Sequence, residues 1–178
     1  MVAYHISKAN TLLRSPTEEL PDRCVQVGEF VSQGIEFDVA GQILDQLSVH
    51  GSYTFSLKAE VTEDVDPELI GKPAENNPDH AFSLWARYNV PVLGDNGMLG
   101  FAAGVSYMGD RLTFTEGDVL PSFTVLNGAI FFNYQSVNIA LNVYNLLDTE
   151  YFPSGYGGRI GGFRRTPRSV ELKLGYRF

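Results

Sequence analysis

The sequence predicts an all-β fold, an antiparallel transmembrane β-barrel segment of about eight meandering strands, and three observations predict it. The last nine residues alternate without a fault, with Val170, Leu172, Leu174, Tyr176 and Phe178 on one parity and Glu171, Lys173, Gly175 and Arg177 on the other. A period of two puts these sets on opposite faces of a strand. Its length suits a strand crossing a bilayer at a tilt, which takes roughly nine to eleven residues. Similar alternation recurs along the whole chain. Short and long connections between the alternating runs follow one another strictly, so an antiparallel meander gathers every short turn at one end of the sheet and every long loop at the other.

Taken in order, the first strand runs from about Val2 to Leu12 and sets Val2, Tyr4 and Ile6 against Ala3, His5 and Ser7 before Arg14-Ser15-Pro16 breaks the pattern. The second carries Val25, Val27, Val31, Ile35, Phe37 and Val39 against Gln26, Gly28, Ser32, Glu36 and Asp38, and ends at Gly41. The third has the cleanest contrast, with Leu47, Val49, Tyr53, Phe55 and Leu57 opposed to Ser48, His50, Ser52, Thr54 and Ser56. A fourth face holds Phe82, Leu84, Ala86, Tyr88 and Val90; a fifth holds Leu99, Phe101, Ala103, Val105 and Tyr107. The sixth places Leu126, Gly128, Ile130, Phe132 and Tyr134 against Asn127, Ala129 and Asn133, with Phe131 as an exception. Ile139, Leu141 and Val143 make the seventh, and the faultless carboxyl terminus makes the eighth.

Short turns are expected at 41–46, 91–97 and 135–137, and long loops at 13–24, 58–80, 108–121 and 148–169. Short turns on one side and long loops on the other are the pattern of outer-membrane barrels. Tyr88, Tyr134, Tyr176 and Phe178 near the turn end, and Phe55, Phe82 and Tyr107 near the other, would form interfacial girdles. A soluble lectin-like β-sandwich also alternates, and it stands as the alternative together with a stand-alone small eight-stranded barrel of structural or adhesive type.

Composition neither supports nor opposes this. The 178 residues are 44% apolar and 19% charged, and mean hydropathy is near zero, as expected where apolar and polar residues cancel along each strand. No run approaches the eighteen or so apolar residues of a membrane helix, so any crossing falls to strands. A net charge of -8 with no basic stripe argues against a nucleic-acid partner. The single Cys24 forms no internal disulfide and reads as an incidental thiol. His5, His50 and His80 form no ligand cluster, and no nucleophile elbow, phosphate loop or paired-His motif points to an enzyme, a catalytic residue, a cofactor or a resident metal.

Several stretches resemble the strands of one family. Val27-Gly28-Glu29 through Ser32-Gln33-Gly34-Ile35-Glu36-Phe37-Asp38 is similar to that family's "vGevrSrGvEle" strand, and Gly51-Ser52-Tyr53-Thr54-Phe55 to its "gsYty". Asn77-Pro78-Asp79-His80 leading to Ser83-Leu84-Trp85 and Tyr88 resembles "P.H..slw..Y". Gly104-Val105-Ser106-Tyr107-Met108-Gly109-Asp110-Arg111 resembles "GvryvGdR", and Pro121-Ser122-Phe123-Thr124 resembles "lPsyt". The most specific match is Asn142-Val143-Tyr144-Asn145-Leu146-Leu147-Asp148-Thr149-Glu150-Tyr151, similar to "NvyNLfDkeY" with Leu147 where Phe is usual. The family that these stretches resemble is the TonB-dependent outer-membrane receptors for ferric siderophores.

The resemblance implies a barrel of about 22 strands closed around a plug, of which residues 1–178 would be the C-terminal part. The plug domain, the TonB-binding segment and the signal peptide are not among these residues; Met1-Val2-Ala3-Tyr4-His5-Ile6 lacks the features of a secretory leader. A piece of a full receptor, a truncated gene product and a self-closing barrel are the three ways to resolve two open edges, since unpaired backbone groups in hydrocarbon cost several kcal/mol each. The implied partners are a ferric siderophore as ligand, outer-membrane lipid and lipopolysaccharide, the TonB complex only through the plug, and the barrel-assembly machinery. That machinery would read Val170, Leu172, Leu174, Tyr176 and Phe178 as the assembly signal.

Ligand contacts are expected in the last extracellular loop, where Arg159, Arg164, Arg165 and Arg168 sit with Tyr151, Phe152, Tyr156 and Phe163 among glycines. Tyr151, Tyr156, Arg159, Phe163, Arg164 and Arg165 are the candidate contacts, gripping an anionic chelate by charge and ring face. Lipopolysaccharide phosphates would suit the same arginines. The 58–79 stretch, rich in Glu and Asp, reads as a solvated loop with direct iron binding as the alternative, and Arg111 and Glu36 are candidates to pair inside the barrel, with partners that the sequence leaves open.

Overall fold

A computed structural model of the chain describes residues 1–10, 12–14, 24–26, 28–94, 96–112, 118–155, 162–165 and 167–178, with only backbone described at 12–14, 24–26 and 162. The strands in chain order are β1 (Val2–Ala9), β2 (Leu12–Arg14), β3 (Cys24–Gln26), β4 (Glu29–Leu44), β5 (Leu47–Glu63), β6 (His80–Val92) and β7 (Gly97–Met108). They continue as β8 (Arg111–Leu112), β9 (Val119–Leu120), β10 (Phe123–Tyr134), β11 (Val137–Tyr144), β12 (Ser154–Gly155), β13 (Gly162–Phe163) and β14 (Ser169–Tyr176). Eight of them form one antiparallel sheet in the order β1-β4-β5-β6-β7-β10-β11-β14, and β2-β3, β8-β9 and β12-β13 are two-stranded ribbons within the long connections.

This is the expected meander, and among the described residues the only other sheets are the two-stranded ribbons, so no second large sheet makes a sandwich. The exposed area of 12205 Å² compares with roughly 8,600 Å² for a compact monomer of this mass. β1 and β14 are the edges, with no ladder joining them among the described residues.

The register sorts side chains by face, because directly opposed residues in an antiparallel pair point the same way. One cross-strand row reads Leu44, Leu47, Tyr88, Phe101, Ile130, Leu141, Leu172, and the row two residues on reads Gly41, Val49, Ala86, Ala103, Gly128, Val143, Val170. Phe37, Tyr53, Phe82 and Tyr107 make a further row on this face, with the Phe82 and Tyr107 rings stacked at 5.7 Å. The opposite face reads Gln42, Ser48, Arg87, Ala102, Ala129, Asn142, Glu171 and, further up, Asp38, Ser52, Ser83, Ser106, Val125. At the other end Tyr134 and Tyr176 share a row through Val137, and Phe178 meets Tyr176 edge-on at 5.2 Å.

Four details depart from the sequence expectation. The first strand stops at Ala9, where Asn10 takes a left-handed φ of 58° and interrupts the ladder; Leu12–Arg14 then pairs with Cys24–Gln26 as a separate ribbon. In β1 the apolar parity lies on the polar face, since Val2, Tyr4 and Ile6 oppose Glu36, Gly34 and Ser32, and Tyr4 fills the space where Gly34 has no Cβ. The second strand continues past Gly41 to Leu44, leaving Asp45 and Gln46 as the turn.

The third strand extends to Glu63 through a bulge. Gly34 opposes Ser56 and Gln33 opposes Lys58, so Leu57 is the extra residue. An extra residue flips the parity beyond it. Lys58 and Glu60, paired at 2.7 Å, therefore stand on the face that Ile35 and Phe55 make apolar below. The 17 residues of β5 span about 55 Å, well beyond a hydrocarbon layer of about 30 Å, and the flip turns the surplus length polar.

Phe131, the exception in the sixth strand, rests on the polar face opposite Gly100, with the Arg87 guanidinium 4.6 Å over its ring. Trp85 lies across Gly104, so that any Cβ there would collide with the indole. Tyr4 at Gly34 and Trp85 at Gly104 thus occupy with their rings the space that a glycine of the next strand leaves open.

Candidate functional site

The site is built where the long connections return to the polar face. Asn142 to Tyr151 leaves β11 through a tight side-chain-closed turn. Asn145, 3% exposed with φ 51°, donates from Nδ2 to the Thr149 carbonyl at 2.9 Å and accepts at Oδ1 from the Thr149 N–H at 2.9 Å. Its own N–H donates to Asn127 Oδ1 at 3.0 Å. The Leu146 N–H donates to the Leu126 carbonyl at 2.7 Å, and Asp148 Oδ1 accepts the Arg168 N–H at 2.8 Å. The Asn-Leu-Leu-Asp stretch therefore fastens both legs of the last connection to the sheet.

Beyond this turn, Tyr151 packs on Phe123 with ring centroids 4.3 Å apart, and the Arg165 N–H donates to the Tyr151 carbonyl at 3.3 Å. Below them lies a cavity of about 390 Å³ walled by Ser106, Phe123, Val125, Asn127, Tyr144, Asn145, Tyr151, Arg165, Pro167 and Ser169. The sheet residues of this wall belong to the polar face. A second cavity of about 250 Å³, lined by Asp148, Thr149, Glu150, Arg164, Arg165 and Pro167, adjoins it through Arg165. Rings, amides and one guanidinium around such a space suit a bulky anionic group.

Of the candidate contacts, Tyr151 and Arg165 come together at the cavity. Arg164 is engaged with the Glu150 carboxylate, and Phe163 is exposed on the β12-β13 ribbon. Tyr156 and Arg159 lie outside the described residues. Arg111 does not pair with Glu36. Its guanidinium, in a residue 3% exposed, donates from Nη1 to the Gly109 carbonyl at 3.1 Å and from Nη2 to the Phe152 carbonyl, and sits 5.3 Å over Phe123. Burial lowers its pKa, and Nε has no hydrogen-bond partner among the described residues. Glu36 instead stands between Val2 and Thr54 on the polar face.

In the 58–79 stretch, β5 runs on to Glu63 and a 3-10 turn at Pro67–Leu69 follows, capped by Asp66 Oδ1 accepting from the Glu68 N–H at 3.0 Å. Among the described residues no group of three or more His, Cys, Asp or Glu could hold a metal ion. Sequence reasoning assigned no role to Asn76, Asn127 or Asn145. For Asn76 and Asn145, Asn at a connection, where left-handed backbone is common for this residue, was the available signal; Asn127 lies within β10.

The family model described as "TonB dependent receptor-like, beta-barrel" matches residues 1–146. The chain belongs to the TonB-dependent receptor family. Its place is accordingly the bacterial outer membrane, with the apolar rows toward lipid and the polar face toward the lumen. The chain is similar to the metal-pseudopaline receptor CntO of Pseudomonas aeruginosa, 30% identical over 98% of this chain and 24% of the relative. It is also similar to the ferrichrome outer membrane transporter/phage receptor of Escherichia coli, 30% identical over 98% of this chain and 23% of the relative. The chain thus spans about a quarter of the length of these curated relatives.

Among solved structures, the closed form of the ferric-catecholate import receptor Fiu from Escherichia coli superposes with a TM-score of 0.74 at 25% identity, over 98% of this chain and 24% of that one. BauA, the ferric preacinetobactin receptor of Acinetobacter baumannii, gives 0.80 at 20% identity, over 98% and 26%, and supports the fold alone. Members of the family are receptors and transporters.

Proposed function

We propose that this chain supplies the C-terminal barrel wall and extracellular loops of a TonB-dependent receptor that takes up a ferric siderophore across the outer membrane, and that its role is transport and not catalysis. The observation that carries the reading is the polar-face cavity beneath the last connection, where Tyr151 and Phe123 supply ring faces and Arg165 a cation. The iron chelate is cargo, held by its organic periphery. The relatives named for metal-pseudopaline, ferrichrome and catecholate siderophores support the substrate class.

The two unpaired edges at β1 and β14 fit a wall that is completed by further strands, because backbone groups in lipid need partners. The plug and the TonB-binding segment would then come from outside residues 1–178, and contact with the TonB complex would run only through the plug. We further assign the outward row Val170, Leu172, Leu174, Tyr176 and Phe178 to recognition by the barrel-assembly machinery. Lipid and lipopolysaccharide are assigned to the same outer surface.

The test is uptake of radioactive iron as tris-catecholate or trihydroxamate chelates by source cells grown without iron, with the receptor gene intact or deleted. Loss of uptake of one chelate on deletion, and its abolition by a protonophore, is the expected result. A Tyr151→Ala, Arg165→Ala receptor at normal surface level should lose most of that uptake; unchanged uptake would remove the cavity from the account.

A further inference from the structure

Three long connections meet at two residues. Asn76, with a left-handed φ of 53°, donates its backbone N–H to the Leu112 carbonyl at 2.7 Å. Its side-chain amide makes a reciprocal pair with Gly155, Nδ2 donating to the Gly155 carbonyl at 3.2 Å and Oδ1 accepting from the Gly155 N–H at 3.4 Å. One residue thereby joins the connection after β5 to the β8-β9 ribbon and to the β12 strand, 79 residues away. Arg111, at the end of the Met108–Arg111 corner, fastens the same connection at Phe152, 41 residues away.

The two ties bracket a short stretch. Phe152 and Gly155 are three residues apart, and Tyr151 precedes them with its ring on Phe123, the ring over which the Arg111 guanidinium sits. Leu120, at the end of the β8-β9 ribbon, is 8% exposed, so the ribbon that Asn76 grips is itself seated. We infer that Asn76 and Arg111 are positioning residues, a two-point clasp that sets the last connection, and with it Tyr151 and Arg165, over the polar-face cavity.

Neither residue lines that cavity; both act through the backbone of 152–155. A handful of polar ties opens at far lower cost than a strand ladder, so the clasp releases the last connection while the wall stays folded. The consequence for ligand rests on the reading of the cavity as a chelate site. The clasp itself stands on the hydrogen bonds.

The test uses the intact receptor on source cells. Trypsin cleavage after Arg164 and Arg165 reports on the last connection, and glutamyl-endopeptidase cleavage after Glu68 reports on the connection that contains Asn76. Asn76→Gly keeps the left-handed backbone available and removes only the side-chain bonds. It should raise cleavage at Arg164 and Arg165 about tenfold. Asn76→Asp, which retains the acceptor, should fall between it and the parent. Arg111→Gln should act in the same direction, and Arg111→Lys should restore part of the protection.

Cleavage that rises after Glu68 alone, with Arg164 and Arg165 as in the parent, would overturn the inference. Binding of the transported ferric chelate to the same cells separates the two readings. A dissociation constant raised about tenfold by Asn76→Gly supports both. Looser loops with unchanged affinity support the clasp and overturn the cavity as the chelate site.

Discussion

The two ends of the sheet are closed by different means. At the turn end, Asp45-Gln46 and Gln135-Ser136 carry the chain straight from one strand to the next. Backbone bonds such as Asn89 N–H to the Gln46 carbonyl at 2.8 Å and Arg177 N–H to the Ser136 carbonyl at 2.9 Å extend the ladders to the rim. At the loop end backbone bonds such as Ser56 N–H to the Asp79 carbonyl and Gly109 N–H to the His80 carbonyl, both at 2.8 Å, are joined by side-chain ties: Asn76 on Gly155, Asn77 Nδ2 on Ser56 Oγ at 2.9 Å, Asn145 on Thr149 and Arg111 on Phe152. Stability at the first end is spread over many equivalent backbone bonds. At the second, a few amides and one guanidinium add ties between connections, and these open at lower cost than the wall.

The difference can be broken by substitution, the largest effect first. A charge on the apolar face should hurt most: Leu172→Arg should cost about 2–4 kcal/mol if the site lies near mid-bilayer, seen as receptor lost from the heat-resistant outer-membrane fraction. Lys173→Leu, one residue along and facing the lumen, should leave that fraction nearly unchanged. Gly104→Ala forces a Cβ into the Trp85 ring and should cost about 1–3 kcal/mol; adding Trp85→Ala should recover part of the loss.

At the loop end, Asn145→Gly keeps the backbone conformation and removes two hydrogen bonds. It should cost about 1–2 kcal/mol, with cleavage after Glu150 rising while the heat-resistance of the wall barely moves. Removing the cation over the Phe131 ring by Arg87→Met should cost about 0.5–1 kcal/mol, measured as a small drop in the temperature at which the band shifts on a gel. If Asn145→Gly lowers that temperature as much as Leu172→Arg does, the two ends are not independent and the contrast fails.

Strand positions were legible because alternation is a property of neighbouring residues. Leu47 to Phe55 and Val170 to Tyr176 show in sequence the faces they show in the sheet. The parity of β1 was not, because Tyr4 owes its place to Gly34, a residue of the next strand. Phe131 is the same case: it needs Gly100 opposite and Arg87 above, neither of which its own strand reveals.

The last connection was singled out by its Arg and aromatic content, and Tyr151 and Arg165 lie together there on one cavity wall. Arg164 was not distinguishable from Arg165 in sequence, yet it is taken up by Glu150. The Asn residues that close the loop end were hidden for a related reason. Their partners lie across connections, at separations such as 79 residues, where no local spacing rule applies. The Asn145 turn is the intermediate case, since its partner Thr149 is four residues on and the whole turn falls within the stretch that resembles the family most specifically.

The central claim is that alternate residues of these strands face lipid and lumen. The most direct test places single cysteines at 170 to 176 of the full receptor, with Cys24 replaced by Ser, and attaches a small fluorophore to each. Quenching by a lipid-soluble brominated chain should alternate, strong at 170, 172, 174 and 176 and weak at 171, 173 and 175. Uniform quenching, or none at any position, would contradict a lipid-facing wall and return the alternation to the soluble reading.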